Sequence, residues 1–284
     1  MPPPVDPETV WRLLGEGRAG LATDFDGTVS PIVSPPEAAR PLPGVEASLN
    51  RLVDQLAVVA LVSGRTVADL ALRIDVPGAV YVGNHGLEWW TSPGRGPGRP
   101  TVDQPAHLSA TPTADESRLL AAAAVALEAE LSGLAGRRLE DKGLGIAIHY
   151  RDTLDHARAR ERILAVCQSL VGQRLQVREG KQVVELVLPH GTDKGTAMER
   201  LIAEHGLERL IFFGDDLTDR DGFVACRRLR ERGLLSLAVA VLGPETPPAV
   251  VEAADASVAG PAGVAELLAD LAARAELAER AVPT

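Results

Sequence analysis

The stretch GLATDFDGT, residues 20–28, carries the strongest structural signal in this sequence. Its apolar residues are consecutive rather than alternating, which is typical of a strand covered on both faces. The run ends in Asp24 and Asp26, two carboxylates one residue apart, followed by Gly27, which permits a sharp turn. Because parallel sheets bind ligands at the carboxyl ends of their strands, we look for chemistry at this point.

Other short apolar runs end abruptly in the same way, in small or acidic residues. They are AVVALVSGR (57–65), AVYVGNHG (79–86), RLIFFGDD (209–216) and SLAVAVLG (236–243). Helical patterns lie between or after them, over residues 45–55, 66–74, 194–205 and 263–280. Alternating strands and helices predict an α/β fold with a doubly wound parallel sheet.

The middle of the chain follows a different pattern. Residues 91–113 are crowded with Pro and Gly and are typical of a loop or hairpin leading into a linker. A helix, a strand (GLGIAIHY), a second helix and a hairpin around Gly180 and Lys181 come next. We predict an inserted smaller α+β domain over residues 106–188, with the core domain formed by residues 1–105 and 189–284.

Composition excludes several function classes. The net charge of −10 argues against broad binding to nucleic acid or to an anionic membrane, since both need concentrated Lys and Arg. The N-terminus lacks the features of a signal peptide, and the apolar runs are shorter than the ~20 residues needed to cross a bilayer. Cys167 and Cys226 have no disulfide or metal spacing. We therefore expect a cytoplasmic, soluble protein.

The pair Asp24 and Asp26 is suited to sharing a cation, through side chains or the Asp26 carbonyl. A solvated turn is the simpler alternative. A calcium loop of the EF-hand type is excluded, because its twelfth position would be Pro35, where a bidentate Glu is needed.

Three more segments place polar groups at strand ends or helix starts. Asp215 and Asp216 would repel each other unless a cation neutralised them, although Asp residues also begin helices favourably. Ser63, followed by Gly64 and Arg65, can offer a hydroxyl and backbone N–H groups to a phosphate oxygen. Lys194 opens a predicted helix, from which it can point into a phosphate site. Each signal alone also fits ordinary turn or cap chemistry.

Taken in order, these motifs resemble the haloacid dehalogenase superfamily, and more closely its trehalose-6-phosphate phosphatases. The similar segments are DFDGTVSPI (24–32), VSGRTVADL (62–70), GNHGLE (83–88), LEDKGLGIAIHYR (139–151), EGKQVVEL (179–186), DKGTA (193–197) and GDDLTDRDGF (214–223). The resemblance covers roughly residues 19–260. It implies a Rossmann-like core, with the insert as a cap domain for sugar recognition.

The resemblance also implies roles. Asp24 is expected to attack phosphorus, and Asp26 to act as general acid and then general base. Mg²⁺ would be held by Asp24, the Asp26 carbonyl and Asp215, with Asp216 nearby. Ser63 and Lys194 would bind the transferring phosphoryl oxygens. The reaction implied is hydrolysis of trehalose 6-phosphate, the final step of trehalose biosynthesis.

Sugar contacts are expected mainly in the insert, from Glu140, Lys142, Lys181 and Glu185. Gly64, Arg65, Asn84 and His85 are further candidates for substrate binding. Trp89 and Trp90 fit either a sugar-stacking edge or core packing. The chain departs from the family pattern at Arg220, at Gly145, where Ser is frequent, and before Pro189, which lacks the usual basic residue.

Two alternatives stay open at this point. One is a phosphatase for another sugar phosphate, such as sucrose phosphate or a glucosyl-glycerate phosphate. The other is a catalytically silent domain that binds trehalose 6-phosphate. A small-molecule sugar phosphate is the expected partner in each case, and a monomer is the expected state.

Overall fold

The computed structural model describes residues 1–94, 107–108, 111–172, 174–189 and 191–281. The chain forms two compact units, one made of Met1–Ser109 and Thr192–Thr284, the other of Ala110–Gly191. The sequence had placed these boundaries at 105/106 and 188/189. Most of the Pro- and Gly-rich segment that was predicted to be a loop or hairpin lies outside the described residues.

Strands alternate with helices along much of the described chain, as the sequence patterns predict. The strands are β1 (Ala19–Thr23), β2 (Val58–Val62), β3 (Val80–Gly83), β4 (Glu88–Thr91), β5 (His107–Leu108), β6 (Arg138–Asp141), β7 (Gly145–His149), β8 (Gln176–Gly180), β9 (Val183–Val187), β10 (Arg209–Gly214), β11 (Leu235–Leu242) and β12 (Ala256–Ala259). The helices are α1 (Pro7–Leu14), α2 (Val45–Val53), α3 (Val67–Arg73), α4 (Ala114–Glu130), α5 (His156–Leu170), α6 (Lys194–His205), α7 (Leu217–Glu231), α8 (Pro248–Ala253) and α9 (Gly260–Ala281). Short 3₁₀ turns cover Pro36–Ala38 and Asn84–Gly86.

The first unit is built on a sheet with strand order β12-β11-β10-β1-β2-β3-β4-β5. Strands β12 to β3 in this order pair in parallel, and β4 and β5 continue the sheet antiparallel. Successive strand residues point to opposite faces of the sheet, and helices cover both of these faces. On β1, Leu21 joins a core with α1, α2, α3 and α9, whereas Ala22 joins a core with α6, α7 and α8. The predicted doubly wound α/β core is confirmed.

Parallel pairing brings four strand ends to one edge of this sheet. Thr23 at the end of β1 lies opposite Phe213 on β10 and Leu61 on β2, and Val62 lies opposite Val82 on β3. The residues that follow these strands are therefore neighbours, although they are far apart in sequence.

The second unit is a small α+β domain. Its antiparallel sheet has the order β6-β7-β9-β8, and β8 and β9 form the predicted hairpin, with the turn at Lys181 and Gln182. Helices α4 and α5 pack on this sheet through buried apolar residues. A Thr113–Glu116 capping box starts α4, as the Thr-x-x-Glu spacing favours.

Among the described residues, no helix combines the length and the apolar character that crossing a membrane requires.

Candidate active site

The first unit places three buried carboxylates together at the carboxyl edge of its sheet. One oxygen from each of Asp24, Asp215 and Asp219 lies within 4.8 Å of the others. Asp24 follows β1 and donates its backbone N–H to Phe213 O (2.9 Å), and Asp215 follows β10. These three residues are 5% exposed or less. Such carboxylate oxygens are the ligands that hard divalent cations prefer.

Lys194 is the buried cation of this cluster. Its Nζ donates to Asp24 Oδ1 at 2.7 Å and to Asp219 Oδ1 at 2.6 Å, and the residue is 2% exposed. Burial opposes its charged form, but Asp219 and then Asp24 outweigh burial, so the pKa of Lys194 is raised. Lys194 is the first residue of α6, which Asp193 caps, so the helix start aims the side chain into the site.

The charge of this cluster fits a divalent cation. Three carboxylates lie together with one ammonium group, so these four groups carry a net charge of −2 when all are ionised. The pKa of Asp24 is accordingly raised, first by burial and then by Asp219 and Asp215, with Lys194 opposing. A divalent ion beside Asp24 and Asp215 would remove this repulsion. The residues present therefore suit a metal.

Gly27 and Thr28 hold Asp215 in position. Thr28 Oγ1 donates to Asp215 Oδ1 (3.0 Å), and a Cβ on Gly27 would lie 2.1 Å from Asp215 Oδ2. Gly27 also has a φ of +84°, so it makes the turn that the sequence predicted.

Asp219 is a site residue that the sequence reasoning missed. Its Oδ2 accepts the backbone N–H groups of Asp215 and Asp216, both at 2.9 Å, while its Oδ1 holds Lys194. Asp216, which is expected near the metal, is the N-cap of α7. A capping box joins these two residues across three positions. This i, i+3 spacing of Asp residues is visible in the sequence and is the signal by which Asp219 could have been identified.

Asp26 lies apart from the carboxylate cluster, against Arg65. Arg65 Nε donates to Asp26 Oδ2 at 2.6 Å, and Arg65 Nη2 donates to Asp26 Oδ1 at 2.8 Å. Burial opposes the charge of Arg65, but Asp26 and then Asp69 raise its pKa. In this arrangement the side chain of Arg65 contacts protein carboxylates, where the sequence had predicted substrate binding.

Ser63 and the turn Asn84–Gly86 line the neighbouring strand ends. Ser63 is 1% exposed, its Oγ accepts the Arg65 N–H (3.2 Å), and its carbonyl accepts the His85 N–H (3.0 Å). The His85 ring lies so close to Gly64 that a Cβ there would be 2.6 Å from it. Asn84 and His85 have φ values of +45° and +56°, in the left-handed region that is uncommon for residues other than glycine, although Asn and His enter it more readily than most.

Glu88 fixes this strained turn and was not predicted. Its Oε1 accepts Asn84 Nδ2 and its Oε2 accepts Val67 N, both at 2.6 Å. Trp89 donates Nε1 to Gly86 O (2.7 Å), and Arg200 lies over its ring. Trp90 packs on Tyr81, so both tryptophans take part in packing rather than in a stacking edge.

In the second unit, three of the residues predicted to contact sugar share one sheet face. Glu140 and Glu185 lie opposite Ala147 on either side of it, so a small residue separates two carboxylates. Lys142 Nζ donates to Glu185 Oε1 (2.6 Å). Lys181 lies in the β8–β9 turn, outside this row.

His149 is a further polar residue on that face. Its Nε2 is 2.8 Å from Glu140 Oε2, and this hydrogen bond is the main cause that lowers the pKa of Glu140.

Comparison with known proteins adds the family context. Residues 22–247 match the family model "Trehalose-phosphatase". The trehalose-phosphate phosphatase of Mycobacterium leprae is 36% identical over 222 residues, covering 74% of this chain and 48% of that protein. The trehalose-phosphate phosphatase of Mycobacterium avium is 36% identical over 214 residues, covering 72% and 50%. The chain thus spans about half the length of these relatives.

The fold is also similar to a solved structure. The C-terminal domain of C. albicans trehalose-6-phosphate phosphatase superposes with a TM-score of 0.76 at 20% identity, covering 96% of this chain and 98% of that one. At this identity the likeness concerns the fold alone.

Proposed function

Since the chain belongs to the trehalose-phosphatase family, we propose that it hydrolyses trehalose 6-phosphate to trehalose and inorganic phosphate through an aspartyl-phosphate on Asp24. The observation that carries this proposal is the buried Asp24 carboxylate, held by Lys194 at 2.7 Å beside Asp215 and Asp219. Family membership implies a divalent metal at this cluster, and we propose Mg²⁺ held by Asp24, the Asp26 carbonyl and Asp215. A bound Mg²⁺ would lower repulsion between the carboxylate nucleophile and the anionic ester.

The chemistry divides into two displacements. In the first, an Asp24 oxygen forms a bond to phosphorus as the bond from phosphorus to the sugar oxygen breaks, and Asp26 gives that oxygen a proton. In the second, water attacks phosphorus, Asp26 takes the proton from water, and the Asp24 carboxylate is released with phosphate. Lys194, and Ser63 with its neighbouring N–H groups, are suited to bind the phosphoryl oxygens.

We assign sugar recognition to the second unit, with Glu140, Lys142, Glu185 and Lys181 as its residues. Charged side chains form strong hydrogen bonds to sugar hydroxyls, and the pairing of Lys142 with Glu185 keeps that carboxylate in place before substrate arrives. We also propose that the partner of this protein is a small-molecule sugar phosphate and that the protein acts in the cytoplasm.

The first test is phosphate release from trehalose 6-phosphate, with Mg²⁺ and with EDTA. We expect turnover that EDTA abolishes and Mg²⁺ restores, and an Asp24→Asn variant with less than a hundredth of wild-type kcat. If Asp24→Asn keeps a tenth of wild-type kcat, the assignment of Asp24 as the nucleophile is wrong. Turnover on sucrose phosphate or a glucosyl-glycerate phosphate in preference to trehalose 6-phosphate would change the substrate but not the reaction, and tight binding without turnover would indicate a silent domain.

The second test concerns the sugar. A Glu140→Gln/Lys142→Met variant should lose roughly 10²-fold in kcat/KM on trehalose 6-phosphate, because binding energy from the remote sugar aids the reaction. The same variant should barely change p-nitrophenyl phosphate hydrolysis, since that substrate offers no hydroxyls. Glu179→Gln is the matched control, because Glu179 belongs to the same sheet but pairs with Arg160 of helix α5. Equal losses on both substrates would mean that these residues support the fold.

A further inference from the structure

The contact between Arg65 and Asp26 concerns the residue that the proposed function uses for proton transfer, so the following inference rests on that function. Both carboxylate oxygens of Asp26 accept from one guanidinium group, at 2.6 and 2.8 Å. Two parallel charge-assisted hydrogen bonds define the direction of a carboxylate as well as its position. Arg65 therefore determines where the Asp26 side chain lies in this structure.

Arg65 itself is held by groups that take no part in the chemistry. Its Nη1 donates to Asp69 Oδ2 at 2.5 Å, its Nη2 also donates to Pro36 O at 3.0 Å, and its guanidinium lies 5.6 Å from the centre of the Phe25 ring. The Arg65 side chain is 13% exposed, whereas that of Asp26 is 35% exposed. The arginine is thus the anchored partner and the carboxylate is the more accessible one.

Asp69, which binds Arg65, is itself held by a second arginine. Arg73 Nη2 donates to Asp69 Oδ1 at 2.6 Å, and Arg73 also donates to the carbonyl of Glu37. Burial favours the neutral form of Asp69, but hydrogen bonds from Arg73 and then Arg65 keep its pKa lowered. Asp69 can therefore retain Arg65 in place when Asp26 turns away from it.

We propose that Arg65 is the positioning residue for Asp26 and that its contact orients the Asp26 carboxylate for the second displacement, in which Asp26 accepts a proton from the attacking water. A carboxylate bound side-on by a guanidinium group keeps its outer lone pairs, and these remain able to accept a proton from water. For the first displacement Asp26 has to present its proton to the sugar oxygen, and it leaves this contact to do so. Arg65 holds the carboxylate that results.

The proposal predicts which half of the reaction suffers when Arg65 is changed. p-Nitrophenolate is a good leaving group, so the first displacement on p-nitrophenyl phosphate depends little on proton donation. An Arg65→Met variant should release a burst of p-nitrophenol approaching one equivalent per enzyme, followed by steady turnover at least tenfold slower than wild type. The burst marks an aspartyl-phosphate that forms normally and is hydrolysed slowly.

Arg73→Met is the matched control. It removes the other guanidinium group from Asp69, and the Arg73 side chain is similarly buried at 10% exposed, but no contact with Asp26 is lost. We expect no burst from this variant and a change in turnover below threefold. Thermal melting of both variants reports the cost of removing a guanidinium group from Asp69. If Arg65→Met fails to fold, Arg65→Lys is the second variant. It keeps the positive charge but cannot donate two parallel hydrogen bonds to Asp26, so it should show a smaller burst.

A double-mutant cycle with Asp26→Asn separates positioning from direct substrate binding. If Arg65 acts through Asp26, adding Arg65→Met to Asp26→Asn should change the residual rate by less than twofold. Losses that multiply, or an Arg65→Met variant with wild-type turnover and no burst, would overturn the proposal. A wild-type protein that hydrolyses neither substrate would overturn the proposed function, and this inference with it.

Discussion

Gly27 shows how one residue sets the geometry of the acidic cluster. Its left-handed backbone turns the chain after Asp26, and its missing side chain leaves the space that the Asp215 carboxylate occupies. Each requirement alone favours glycine over alanine at this position, and together they favour it more strongly.

Replacing Gly27 with Ala should therefore cost more than backbone strain. We expect about 1–2 kcal/mol for the left-handed φ and a further ~1–3 kcal/mol for displacing Asp215, measured by urea unfolding. Phosphate release should fall with the metal site. Gly44→Ala is the control, since Gly44 has a φ of +88° but nothing within 4 Å of its would-be Cβ. Equal losses in the two variants would show that the Asp215 contact contributes nothing.

At the scale of the element, strand β7 explains a departure from the family pattern. A Cβ on Gly145 would lie 2.7 Å from Val187 Cγ1 and 3.0 Å from Leu186 O on the adjacent strand β9. Close packing against the adjacent strand thus favours glycine at position 145.

A Gly145→Ser variant should be destabilised by about 1–3 kcal/mol, as overpacking of a filled position typically is. Part of the overlap caused by the new side chain is with the Val187 side chain. Val187→Ala should therefore restore some stability in the double variant, although Val187→Ala alone is destabilising. Urea unfolding of the single and double variants measures this coupling. Strictly additive losses would mean that Val187 does not account for the glycine.

At the scale of the whole molecule, each unit has its own buried cysteine. Cys167 lies in the core of the second unit and Cys226 in a core of the first, and both are free thiols. Burial raises the pKa of Cys167 to about 11, and burial followed by Asp255 raises that of Cys226 to about 12. Neither group has a part in the proposed chemistry, so each reports on the stability of its unit.

The raised pKa of Cys167 predicts a loss of stability at alkaline pH. An unfolded thiol ionises near pH 8.5, so the stabilising effect of keeping it neutral is complete below that pH and declines as the pH rises towards 11. At about 1.4 kcal/mol per pKa unit, unfolding free energy should fall by about 2 kcal/mol more in the wild type than in Cys167→Ala between pH 8 and pH 10.5. Urea unfolding followed by circular dichroism measures the difference. Parallel pH profiles for the two proteins would contradict it.

Local features of this protein can be read directly from its residues. Consecutive apolar residues indicated buried strands, and the acidic, Ser and Lys residues at their ends indicated where chemistry lies, because strand and helix signals are short-range. Asp24, Ser63, Lys194 and Asp215 were identified in this way, and the fold class was confirmed. The roles proposed for these residues remain to be tested.

Which of these groups contact one another depends on how the strands and helices assemble. Lys194 reaches Asp24 across 170 positions, Thr28 reaches Asp215 across 187, and Arg65 binds Asp26 across 39. No local pattern specifies such pairs, because they depend on strand order and register in the assembled sheet. Asp219 also belongs to the acidic cluster, and Arg65 contacts Asp26, because a buried charge is stable beside the opposite charges that the fold brings to it.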